Sequence, residues 1–94
     1  MFVLITYDVS TIDKVGARRL RRVAQACEDY GQRVQKSVFE CKVDQRRWVL
    51  LKNRLLREID EGADSLRFYF LEVDTPTEHF GMNKPRDLEE PLVF

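Results

Sequence analysis

Two segments of this chain are apolar on both of their faces, and this constrains the fold more than any other feature. Residues 1–9, Met-Phe-Val-Leu-Ile-Thr-Tyr-Asp-Val, form a near-continuous run with β-branched and aromatic members. Such a run reads as a central strand buried from two sides. Residues 65–73 place Leu66, Phe68 and Phe70 on one parity, and Tyr69, Leu71 and Val73 on the other. A chain of 94 residues makes one domain with a small core. Two helices in such a domain cover one sheet face. The other face must meet something, and a second copy of the same sheet is the economical cover.

The two helices read plainly. Leu20, Val23, Ala24 and Cys27 form one apolar stripe in a helix over 14–30, with Gly31 as its C′ residue. Asp44 suits the N-cap of a second helix over 45–61, whose buried stripe is Trp48, Leu51, Leu55 and Ile59, with Gly62 ending it. Between them, 33–43 is extended, with Phe39, Cys41 and Val43 on one parity and Val34 on the other. That switch near Ser37 calls for a bulge or bend, leaving the segment as one bent strand or as two strands. The order is β-α-β-β-α-β. Two helices on one face of a mixed sheet give an α+β, ferredoxin-like sandwich over 1–74. The tail, 75–94, closes with Leu92-Val93-Phe94. It is expected to dock, as a tail or an extra strand, on its own sheet or a partner's.

Several function classes drop out on composition. Cys27 and Cys41 lack metal-type spacing, and His79 is the single histidine, so both thiols read as reduced core residues and zinc is excluded. His79 reads as an exposed or packing residue. Trp48, Phe68 and Phe70 stand at core spacing. Met1 leads directly into a strand with no basic leader, and no apolar run matches a membrane span. A cytoplasmic protein is expected. The net charge is zero but unevenly spread. Residues 1–57 carry 13 Lys and Arg against 6 Asp and Glu, whereas 58–94 carry 3 against 10. A basic half implies a nucleic-acid face, and an acidic half an attachment surface.

Asp8 is the best single candidate for chemistry. A carboxylate at the exit of a buried strand stands where the scaffold is rigid and solvent begins. Two copies of Asp8 brought together by a twofold axis would repel, and Mg²⁺ or Mn²⁺ between them would offset the repulsion. Aspartate also closes turns, and spacing does not separate the two roles. Arg18, Arg19, Arg21, Arg22, Arg33 and Lys36 could contact phosphates, or form a solvated helix face. No aromatic ladder is interleaved among them, which favours duplex backbone over stacked single strands. Tyr7, Ser10 and Ser37 add hydroxyls, but no histidine lies nearby in sequence to activate a serine. Ser37 reads as a bend residue. A glycine-rich phosphate loop is not present in the sequence.

Leu-Ile-Thr-Tyr-Asp-Val-Ser at 4–10, Arg-Arg-Leu-Arg-Arg-Val-Ala at 18–24 and Gly-Gln-Arg-Val-Gln-Lys-Ser-Val-Phe-Glu-Cys at 31–41 carry a family resemblance. The chain resembles the CRISPR-associated protein 2 family along its whole length, most closely the subtype I-C members. The resemblance implies a ferredoxin-like homodimer packed sheet to sheet. It implies a part in spacer acquisition, as the adaptor between two dimers of the CRISPR integrase. It implies metal-dependent endonuclease activity on RNA or double-stranded DNA, with an alternative role as a DNA-binding adaptor that needs no nuclease. The family's metal aspartate falls on Asp8, and its neighbouring site residues fall on Tyr7, Arg33, Ser37 and Phe39. The helix arginines, 18–22, correspond as a region.

Overall fold

The computed structural model describes residues 1–82. Strand β1 (Phe2–Asp8) leads to helix α1 (Lys14–Tyr30), then β2 (Gln32–Gln35), β3 (Val38–Lys42), α2 (Gln45–Glu58) and β4 (Ser65–Leu71). The strands form one sheet in the order β2-β3-β1-β4. The ferredoxin-like architecture holds, with one difference from the expected mixed sheet: all three pairings are antiparallel. Each helical crossover skips one strand, so parallel strands are never neighbours.

Strand parity sets what each face does. Val3, Ile5 and Tyr7 of β1 point with Phe39 and Cys41 of β3 into the core beneath the helices. Val23, Ala26 and Cys27 of α1 and Trp48, Leu51 and Leu55 of α2 close it from the other side. The opposite parity of β1 carries Phe2, which is buried, and Leu4, Thr6 and Asp8, flanked by Val38, Glu40 and Lys42 of β3 and by Arg67, Tyr69 and Leu71 of β4. Among the described residues no helix covers this open face. Tyr69 and Leu71 remain 41% and 37% exposed on it. Apolar side chains therefore face outward where sequence parity required cover.

Helix ends follow local chemistry. Asp13 caps α1 by accepting from the Gly16 N–H at 2.8 Å, and Asp44 caps α2 by accepting from the Arg47 N–H at 2.8 Å. Gly31 does end α1, but in an extended conformation rather than the left-handed one of a C′ glycine. It is glycine because β3 passes close by: a Cβ there would meet the Glu40 carbonyl oxygen at 2.6 Å and collide with Cys41 Sγ. Helix α2 stops at Glu58, earlier than expected, and Gly62 does not end it. The Asp60 carbonyl accepts from the Ala63 and Asp64 N–H groups, building a separate turn after the helix. The 33–43 segment divides at Lys36 and Ser37, with a bulge between Arg33 and Gln35 that leaves Val34 without a ladder partner.

Trp48 packs edge-on against Phe68 and Phe70, with ring centroids 4.8 and 5.6 Å apart. Phe70 is nonetheless 61% exposed, against the expectation of a core residue, because β4 is the sheet edge. Cys27 and Cys41 are free and buried, and burial pushes both thiols up to about 12. No helix among the described residues is long and apolar enough to cross a membrane. The described part of the tail brings Glu78–Met82 opposite Val34–Lys36 across an open groove. Phe80 and Met82 there are exposed. The expected docking of Leu92, Val93 and Phe94 lies outside the described residues.

Candidate functional site

The sequence candidates gather at one end of the sheet, where β1 leaves and the Lys36–Ser37 turn joins β2 to β3. The Tyr7 N–H donates to the Ser37 carbonyl at 3.1 Å, and the Tyr7 hydroxyl donates to the Lys36 carbonyl at 3.4 Å. The Tyr7 ring stacks on Phe39 with centroids 6.2 Å apart. The Arg33 guanidinium lies 5.0 Å from the centre of the same Phe39 ring. Arg33 also donates to the Lys36 carbonyl at 3.1 Å and pairs with Glu28 at 3.1 Å. Tyr7, Phe39 and Arg33 therefore form a stack that holds the Lys36–Ser37 turn in place. Burial raises the Tyr7 phenol above its ordinary range, opposed by the nearby Arg33 charge. At neutral pH Tyr7 is a hydroxyl donor, not a base.

Asp8 stands apart from this stack by one residue and one sheet face. Tyr7 points inward, whereas Asp8 takes the open-face parity and is exposed at the strand end. Its Cα pairs with Ser65 at the start of β4. An exposed carboxylate on a ladder-fixed backbone has the hard oxygen chemistry that Mg²⁺ and Mn²⁺ take. Among the described residues of one chain, no three His, Cys, Asp or Glu side chains converge as a metal site. A second carboxylate would have to come across the open face. The donor set fits a hard divalent cation on that condition.

The basic residues separate into free and engaged groups. Arg18 and Arg21 are exposed on α1 and make no ion pair among the described residues. Arg22 reaches Glu58 loosely, at 3.7 Å. Arg19 turns the other way. Its Nε donates to Asp64 Oδ2 at 2.9 Å and its Nη2 to Asp64 Oδ1 at 3.2 Å, a two-point contact with a carboxylate that has no exposed surface. Asp64 also accepts from the Ser10 N–H at 3.1 Å and the Asp60 N–H at 2.9 Å. These bonds hold its carboxyl below the ordinary range, the Arg19 contact foremost. Sequence reasoning missed Asp64, whose only visible signal was an acid in a turn before a strand.

Known proteins share this fold and sequence. The family described as CRISPR associated protein Cas2 matches residues 1–76. The chain is 56% identical to the CRISPR-associated endoribonuclease Cas2 of Chlorobaculum tepidum, covering 100% of both proteins. It is 54% identical to the CRISPR-associated endonuclease Cas2 of Halalkalibacterium halodurans, again covering 100% of both. The crystal structure of Streptococcus pyogenes Cas2 at pH 6.5 superposes with a TM-score of 0.76 at 52% identity, covering 86% of this chain and 100% of that one. Fold and full-length similarity converge, and the chain belongs to the CRISPR-associated Cas2 family.

Proposed function

We propose that the protein works as a symmetric dimer joined through its open sheet faces, and that it handles nucleic acid in CRISPR adaptation. The observation carrying this reading is the placement of Asp8 on the sheet face that no helix among the described residues covers, at its polar end. A twofold axis through that face sets each Asp8 against its symmetry mate. Together they would hold one Mg²⁺ or Mn²⁺. Such a cation, when bound, polarises a phosphodiester and lowers the pKa of water.

The chain's own residues do the rest. The Tyr7–Phe39–Arg33 stack fixes the Lys36–Ser37 turn at the end of the sheet where β1 leaves. We assign Arg33 and Lys36, which flank that turn, to contacts with phosphates entering the site. The activity we infer is endonuclease hydrolysis of RNA or double-stranded DNA; relatives named endoribonuclease and endonuclease support nuclease activity in general. Purified Asp8→Asn dimer is expected to lose metal-dependent cleavage and to keep its fold. Cleavage at the wild-type rate would sink the metal role.

A second reading is favoured by Arg18 and Arg21 on α1, exposed and without an ion pair among the described residues. In it the dimer is an adaptor: α1 lies along a duplex backbone, and the integrase is the attached partner in spacer acquisition. Asp8→Asn would then leave spacer acquisition intact while abolishing cleavage in vitro.

A further inference from the structure

The loop that follows Asp8 is held from two sides. From one side, Asp64 accepts the Ser10 N–H at 3.1 Å. From the other, α1 presses on the same residue: a Cβ on Gly16 would collide with the Ser10 carbonyl oxygen. Ser10 lies two residues beyond Asp8, and Asp64 lies one residue before Ser65, the ladder partner of Asp8. The strand end that carries the carboxylate is thus bracketed by one side chain. Placing a carboxylate out of water is costly unless its lone pairs are filled. Four donors fill them here: Arg19 twice, Ser10 and Asp60.

The geometry points to Asp64, with Arg19, as a positioning residue for Asp8: the pair locks Ser10 and so fixes the direction in which β1 presents its carboxylate to the dimer axis. This rests on the metal reading above. Residues that orient a metal ligand from behind typically change metal affinity without touching the metal. Arg19 accordingly acts inside the site rather than on a phosphate.

The test is Mn²⁺ binding to purified full-length dimers, followed by electron paramagnetic resonance, together with hydrogen exchange at the Ser10 amide. The variants are Arg19→Lys and the double variant Arg19→Ala/Asp64→Ala. Removing both partners leaves no unpaired buried charge, so the double variant should fold. It should nevertheless bind Mn²⁺ about 10- to 100-fold more weakly and lose Ser10 protection. Arg19→Lys keeps the charge but not the two-point contact, and should fall between it and wild type. A merely structural pair would alter melting and leave Mn²⁺ affinity on the folded dimer untouched. Wild-type affinity in a folded double variant overturns the proposal; if that variant does not fold, wild-type affinity in Arg19→Lys does so. If the wild type itself takes up no Mn²⁺, the metal reading fails and the positioning role falls with it.

Discussion

Replacing Leu4 with glutamate should turn the dimer into a folded monomer. Leu4 sits at mid-strand on the open face, with Glu40 of β3 and Tyr69 of β4 as its Cα partners. In one protomer the new carboxylate can reach water, so the fold should lose no more than about 1 kcal/mol. Against a second sheet it cannot. An unpaired charge shut away from solvent costs about 3–5 kcal/mol. Symmetry enters that cost twice, for about 6–10 kcal/mol per dimer. At 1.4 kcal/mol per decade, the dimer Kd should weaken by about 10⁴-fold or more. Sedimentation equilibrium over a wide concentration range reads this directly, with circular dichroism confirming the fold. Leu50→Glu is the control, because Leu50 lies on the outer side of α2 and is 52% exposed. A Leu4→Glu protein that dimerises like the wild type would refute sheet-to-sheet packing.

Two further outcomes follow from named residues. Arg18→Glu with Arg21→Glu should flatten the salt dependence of duplex binding, by about 0.9 in the slope of log K against log salt for each phosphate no longer neutralised; an unaltered slope would place the phosphates elsewhere. Gly31→Ala drives a Cβ toward the Glu40 carbonyl oxygen and Cys41 Sγ. It should cost about 1–3 kcal/mol in urea denaturation, as overpacking does, and an unmoved midpoint would contradict the close approach.

Much of this molecule was legible in the chain, because its signals are local. The near-continuous apolar run of β1 and the stripes of Val23–Cys27 and Trp48–Leu55 each follow from residues within two turns or one strand. The open face was legible as well, since Tyr69 and Leu71 had apolar neighbours on both parities and only two helices existed to cover them. Phe70 misled because parity reports which face a residue takes, not whether its strand is an edge. Tyr7 and Asp8 appeared as one site by adjacency, yet one step along a strand reverses the face, and they serve different neighbours. The Arg19–Asp64 pair was hidden altogether. It joins residues 45 apart, and no local pattern marks which arginine of four will turn inward.

The dimer with an Asp8 pair at its axis is tested most directly by a crystal structure grown with Mn²⁺ and phased at the manganese edge. One anomalous peak on the twofold is expected, bound by an Asp8 carboxylate from each protomer. With metal–oxygen bonds of about 2.1 Å, the two carboxylates should then approach within about 4 Å of each other. Asp8 carboxylates held far apart across the dimer, with no manganese between them, would contradict the shared metal site.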